Sequence, residues 1–366
     1  MKMKVKLETF LQEITEKTTV NNQYPVLTSS KSGLYLQSDY FNKQVASKDN
    51  TGYKIIRRGQ FTYRAMSDTG EFYPNMLECT DIGIVSPAYP VFEMIDEDII
   101  IPEYLKHFFK SDVFQYSISS FVQGSTRTSV KFAKLKTISI ELPKREEQCR
   151  IIETLNTIER IIELRKEQLQ QLDELVKARF VEMFGDPKLN DKGWECGILA
   201  DHFEVKGGKR IPKGMGYSDI KTNHPYLRAT DMKNETIIED DIHYISEEVF
   251  QHIKRYTVNG GDIYLTNVGV NLGMAGVIPQ KFDGASLTEN AVKLVPKVEQ
   301  VLDGLFLAHY INSPGIQDYI NERKMAVGVP KLAIFRIETM PLLIPPMEIQ
   351  KDFIAFVKQV DKSKFI

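Results

Sequence analysis

The chain repeats itself, and that limits its possible folds more than any other property. At an offset of 202 residues, Tyr104-Leu105-Lys106-His107-Phe108-Phe109-Lys110-Ser111 aligns with Phe306-Leu307-Ala308-His309-Tyr310-Ile311-Asn312-Ser313. In the same register, Leu142-Pro143-Lys144-Arg145-Glu146-Glu147-Gln148 aligns with Ile344-Pro345-Pro346-Met347-Glu348-Ile349-Gln350, and Gly59-Gln60-Phe61 with Gly261-Asp262-Ile263. Three matches in one register point to a duplication. Each copy reads as a mixed globular segment, a short helix (near 102–118 and 304–322), a strand-like run ending in proline, and a longer helix. Segments such as Gly83-Ile84-Val85-Ser86 and Asp262-Ile263-Tyr264-Leu265-Thr266 read as short strands between turns. No regular βαβ unit is visible, so the expected class is α+β with an internal repeat.

The helix between the copies is the clearest element. From Glu146 to Met183 there is neither Pro nor Gly. Ile151, Leu155, Ile158, Ile162, Leu169, Leu172 and Val176 recur at alternating steps of four and three, with Arg165 the one polar interruption. That spacing predicts a coiled-coil seam. Pro143 precedes it and Gly185-Asp186-Pro187 stops it. Such a helix spans about 57 Å. Phe353, Val357 and Val360 repeat the seam in the second copy, where the chain stops at Ile366 and the helix is expected to be shorter. The expected organisation is therefore a domain over 1–144, a helix over 145–184, a domain over 185–343 and a shortened helix over 344–366. The two helices would pair and hold the domains apart.

A catalytic constellation is not legible. His107, His202, His224, His243, His252 and His309 show no HxxxH or HExxH spacing. His107 and His309 are repeat equivalents and read as packing or hydrogen-bonding residues. Gly207-Gly208-Lys209-Arg210 lacks the first glycine and the Ser/Thr of a phosphate loop. No GxSxG, glycine-rich methyl-donor loop or complete nuclease motif is found. Cys79, Cys149 and Cys196 are far apart and odd in number, which supports neither a disulfide framework nor a CxxC metal site and suits a reducing cytoplasm. No run approaches the ~20 apolar residues of a membrane helix. A binding protein with no metal or cofactor of its own is the expectation.

Charge clustering remains. The net charge of -2 argues against a simple DNA-coating protein, yet local basic patches stand out. Lys54, Arg57, Arg58 and Arg64 are interleaved with Tyr53, Phe61 and Tyr63. Arg127, Lys131, Lys134 and Lys136 follow Ser125 and Thr126. In the second copy Lys206, Lys209, Arg210, Lys213, Lys221, Arg228 and Lys233 face only Asp219 and Asp231. At least one such patch in each copy suits phosphate contacts beside side chains able to read base edges. The competing reading is a coiled-coil adaptor that joins proteins and does not recognise DNA.

Over nearly its whole length the sequence resembles the specificity subunits of type I restriction–modification systems. The most specific parts are the helix entries over 142–187 and 344–353; PYLRATDMK (225–233), GDIYLTNVGVNLGMAGVI (261–278) and GIVSPAYPVFE (83–93) also look like segments of that family. The resemblance implies two target-recognition domains held apart by antiparallel helices. Each domain would read half of a bipartite, asymmetric site in double-stranded DNA. The helices would dock two methyltransferase subunits, with restriction subunits joining through the complex. S-adenosylmethionine, ATP and Mg would belong to those partners. Carried over by position, the candidate DNA contacts are Arg57, Tyr63, Arg64, Ser125, Thr126 and Arg127 in the first domain. In the second they are Lys209, Arg210, Tyr226, Arg228, Thr230, Asn267 and Asn271, with Asp231 as a turn residue or partner of Arg228.

Overall fold

The computed structural model describes residues 3–40, 47–121, 128–297, 301–325 and 328–364. The chain forms two compact units, Met1–Leu164 and Arg165–Ile366, and the division falls inside the long helix.

The first unit contains β1 (Met3–Lys6), β2 (Leu11–Ile14), β3 (Phe61–Thr62), β4 (Asn75–Met76), β5 (Val91–Met94) and β6 (Ser139–Leu142). Strands β2-β5-β3-β4 make an antiparallel sheet in that order, and β1 pairs with β6, Val5 opposite Ile140. Against the sheet lie α1 (Pro102–Lys110) and α2 (Asp112–Ser119). Proline at the first helical position starts α1, where its missing N–H costs nothing. Leu105 and Phe109 then share one buried face, as do Phe114 and Ile118 in α2. One short helix was expected here. Two form because Ser111 interrupts: its Oγ donates to Phe108 O (2.7 Å) and accepts from Phe114 N (3.2 Å), ending one helix and capping the next. The core is aromatic, with Phe61 edge-on to Phe109 and Phe92 stacked on Phe132.

The long helix, α3, runs Arg145–Phe184 over 40 residues. Glu146 and Glu147 favour its positive N-terminal end. Gly185 at φ +75 stops it, and a Cβ there would strike the Asp191 side chain.

The second unit repeats the frame with β7 (Glu195–Ile198), β8 (Phe203–Gly207), β9 (Pro225–Leu227), β10 (Ile263–Thr266), β11 (Ala275–Val277), β12 (Ala291–Pro296) and β13 (Pro341–Ile344). Its sheet runs β8-β12-β10-β11, and β7 pairs with β13, Gly197 opposite Leu342. Helices α4 (Gly304–Asn312) and α5 (Pro314–Arg323) are again split at a serine, whose Oγ donates to Tyr310 O. The last helix, α6, spans Met347–Ser363.

The duplication is written in hydrogen bonds. Gln148 accepts from Ile101 N (3.0 Å) and donates to Ile99 O and Pro143 O. Gln350 accepts from Asp303 N (2.9 Å) and donates to Val301 O and Pro345 O. Every partner is displaced by the same 202 positions. The turn into the sheet repeats too: Gln60 Oε1 accepts from Arg57 N, and Asp262 Oδ2 from Asn259 N, both at 2.8 Å.

The two halves of the seam differ. In the second unit, Val176, Phe180 and Phe184 of α3 share a core with Phe353, Val357 and Val360 of α6, while Leu172 packs against it. Phe180 and Phe184 each meet the Phe353 ring at 5.5 Å, and Arg165 donates to Lys364 O, so α6 runs antiparallel to this part of α3. Leu169 is partly buried. In the first unit Ile151 and Leu155 are partly buried, but Ile158 and Ile162 are 47% and 49% exposed, beside exposed Ile161 and Leu164. There α3 is tied to α1 by His107 Nε2 against Asn156 Oδ1 (2.9 Å) and by Lys110 near Glu159.

Candidate nucleic-acid interface

Strand direction decides which loops meet. In the second unit β8 and β10 end, and β11 and β12 begin, at one end of the sheet. Three loops therefore converge there: the one after Gly207, the one before Ala291, and the one between Thr266 and Ala275. Backbone bonds lock them together. Gly208 N donates to Ala291 O and Lys209 N to Leu287 O, while Asn267 N and Val268 N both donate to Asn290 O. Gly208 is required by close approach, because a Cβ would lie 2.0 Å from Thr288 O. Asn271 Nδ2 reaches Ala229 O at 3.5 Å, which adds the 228–231 turn to the same rim.

The rim thus gathers all seven candidates of the second copy, in two roles. Lys209, Arg210 and Thr230 are exposed, and Asn271 partly so. Arg210 Nε donates to Glu289 Oε1 at 2.5 Å. Burial raises the Glu289 carboxyl, but Arg210, a backbone N–H and Thr288 together outweigh it and hold the group below its ordinary value. Tyr226 and Asn267 are corrections, and Arg228 is paired. Tyr226 is buried, its hydroxyl donating to Lys209 O (2.9 Å), and burial pushes its pKa up to about 12. Asn267 is buried with Nδ2 toward Leu332 O and Oδ1 without a partner among the described residues. Arg228 is committed inward: Nε and Nη2 donate to the buried Asp231, Nη2 also to Asp241, and Nη1 meets His243. The Asp231 contact holds the guanidinium above its ordinary pKa. Tyr226 and Asn267 position the rim and present no free face to a ligand, while the Arg228 side chain keeps 21% of its exposure. Glu289, Val270 and Lys331 belong to the rim and were missed, because no local pattern ties Arg210 to a glutamate 79 residues away.

In the first unit the equivalent sheet end is where β2 and β3 stop and β4 and β5 start. A cavity of about 570 Å³ lies there, lined by Arg64, Tyr40, Tyr53, Tyr89, Ser29 and Ser86 among others. Arg64 is half exposed, 3.7 Å from Asp68. Arg57 closes the strand Lys54–Arg57 and holds Glu16 with two bonds, 2.5 and 2.9 Å, both side chains exposed. Arg57 lowers the Glu16 carboxyl. Tyr63 is a correction: it is wholly buried, its hydroxyl donating to Val130 O (3.0 Å), so it cannot stack on a base. Ser125, Thr126 and Arg127 lie outside the described residues.

Among the described residues no helix is long and apolar enough to cross a membrane, and no group of three or more His, Cys, Asp or Glu could hold a metal ion.

Comparison with known proteins gives a consistent result. The chain is 26% identical over 285 residues to the Type I restriction enzyme MjaIX specificity subunit of Methanocaldococcus jannaschii, covering 72% of this chain and 63% of that one. It is 23% identical to the Type I restriction enzyme EcoKI specificity subunit of Escherichia coli, covering 72% and 59%. The chain thus spans about three fifths of the length of these curated relatives. Among solved structures, the S subunit of a type I restriction-modification system from M. genitalium superposes with TM-score 0.51 at 14% identity, covering 100% of this chain and 90% of that one. A chain from a type I R-M assembly superposes with TM-score 0.60 at 16% identity, covering 99% and 90%. The fold is shared with both. The family described as Type I restriction modification DNA specificity domain matches residues 8–174 and again 191–366, so the chain belongs to that family and carries its domain twice.

Proposed function

We propose that this chain is the DNA-reading specificity subunit of a type I restriction–modification complex. Each unit reads one half of a bipartite, asymmetric site in double-stranded DNA through the loop rim at the end of its sheet. The observation that carries this reading is the doubled frame with unlike rims: Lys209, Arg210, Thr230 and Asn271 on one, Arg64 above a tyrosine-lined cavity on the other. Two short readouts on one chain become one specific site by the effective-concentration gain of linked binding. Lysine and arginine supply salt-dependent phosphate contacts; asparagine and arginine can form bidentate base contacts worth about 1–3 kcal/mol each.

Helices α3 and α6 set the spacing and dock two methyltransferase subunits. The exposed Ile158, Ile161, Ile162 and Leu164 are an apolar stripe suited to such docking. The chain performs no chemistry itself. S-adenosylmethionine, ATP and Mg belong to the methyltransferase and restriction subunits, and the complex works in the cytoplasm.

The test is made in cells. The chain is co-expressed with its methyltransferase subunit in a methylation-free host, and modified adenines are mapped genome-wide against a no-chain control. A bipartite asymmetric motif appearing only with the chain is the expected result. Soluble protein of both kinds with no new motif would overturn the reading.

A further inference from the structure

The most exposed large apolar residue among those described is Val270, at 97%, on the loop between β10 and β11. It is not on a loose segment. Gly269, in the left-handed region at φ +104, donates its N–H to Pro330 O (2.9 Å), and Val268 bridges Lys331 in antiparallel register. Two residues beyond that bridge on each segment stand Val270 and Val329, the latter 66% exposed. The base of the tip is fixed by the Thr266 hydroxyl, which donates to Asn271 O and accepts from Met274 N, and by Leu332 N donating to Asn267 O. Two valines are therefore displayed on a stiff tip within the rim that also presents Lys209 and Asn271. Lys331, at the base of the tip, pairs with no carboxylate among the described residues.

Resting on the DNA reading above, we propose that the Val270–Val329 tip reads the 5-methyl group of a thymine in the major groove. Cations and amides beside it suit phosphates and base edges, but a valine gains only from an apolar contact. On the groove edges of duplex DNA the thymine methyl is the apolar group available to it. The other apolar route, wedging between base pairs, must repay unstacking. The larger side chains used for that purpose bury more surface than a valine does. A stiff tip of small branched side chains fits a surface contact with one methyl.

The test uses the full chain with its methyltransferase subunit and the site mapped in cells. Each thymine of that site is replaced in turn by deoxyuridine, which removes the methyl and leaves every hydrogen-bonding group in place. One replacement should weaken binding about threefold to tenfold. The same replacement should cost nothing more in Val270→Ser or in the Val270→Ser/Val329→Ser pair, whose exposed positions leave folding intact. Specific binding that is indifferent to every deoxyuridine would overturn the inference and leave the DNA reading standing. So would a penalty that persists undiminished in the serine variants. Absence of any sequence-specific binding would instead remove the DNA reading, and the inference with it.

Discussion

Replacing Glu289 by glutamine tests how the second rim is balanced electrostatically. In the free protein Arg210, with its side chain 78% exposed, spends its Nε hydrogen on Glu289 at 2.5 Å. A pair this exposed contributes about 0–1 kcal/mol to stability, so Glu289→Gln should fold normally. Its effect belongs to binding and has two parts. A carboxylate about 6 Å from a DNA phosphate opposes binding by about 0.7 kcal/mol even at the dielectric of water, roughly a threefold loss. Freeing Arg210 for one more phosphate steepens the slope of log affinity against log salt by about 0.9, which is worth roughly a further 3.5-fold between 200 and 50 mM salt. Together the variant should bind duplex DNA about tenfold tighter at 50 mM, by fluorescence anisotropy with the methyltransferase subunit present. The gain should be equal on unrelated sequences, because phosphate contacts carry no sequence information. An unchanged salt slope would refute the reasoning. So would a loss confined to one base pair, since a carboxylate that accepts from a cytosine amine would give that pattern.

Gln350 is fully buried and serves three backbone groups, so Gln350→Leu strands all three and should cost about 3 kcal/mol of the second unit's stability in urea unfolding, with Gln148→Leu doing the same to the first; an effect below about 1 kcal/mol would show the doubled clamp to be ornamental. Tyr63→Phe loses one buried hydrogen bond, about 1 kcal/mol, and should leave DNA affinity unchanged; a loss of affinity at constant stability would return Tyr63 to the interface. Acid should act through Glu235. Burial raises its carboxyl, but His309 and Asn312 outweigh burial and leave it below the ordinary 4.5. A depressed carboxylate contributes stability that is complete above its unfolded value and disappears as pH falls through the folded one. Glu235→Gln should therefore flatten the loss of stability below about pH 4.5, and an unchanged acid limb in urea melts would count against this role.

The sequence displays some of this molecule and conceals the rest, for physical reasons. A duplication and a heptad seam are one-dimensional patterns, and both are visible because backbone clamps and helix faces recur at fixed spacing. The rim is assembled from loops far apart in the chain. Basic residues led to Lys209, Arg210 and Arg64, which are exposed, but equally to Arg228, which is satisfied by Asp231 three residues on. Tyr63 directly follows the strand Phe61–Thr62, both of whose residues are buried, so it begins inside. Asn267 directly follows β10, whose four residues are all buried, so it too begins inside. Val270 stands between Gly269 and Asn271, and no local pattern marks it as exposed. Only the tertiary pairing of 268–269 with 330–331 shows it standing in solvent.

The offset between the copies is itself informative, because it is not constant. Ile14 and Lys206 occupy one rung of the frame, opposite Val91 and Lys293, at an offset of 192. From the Gly59 and Gly261 turns onward the offset is 202, so the second copy holds ten more residues between these points. That longer segment contains Lys209, Arg210, Tyr226, Arg228 and Thr230. Its packing is segregated as well. Leu227, Met232 and Ile237 join one small core with Val258, Tyr264 and Leu287; Tyr226, Ile245, Val249 and Ile253 form another. The frame core of α3, α4, α6 and the sheet is a third cluster. A segment with a core of its own around Tyr226, Ile245, Val249 and Ile253 can change length and polar residues while the clamps around Gln148 and Gln350 stay as they are. The frame then fixes where two reading rims are held and the inserts fix what each rim presents. Under the proposed function an asymmetric target is expected from that division, since the copies agree in the clamps and differ in the segments between them.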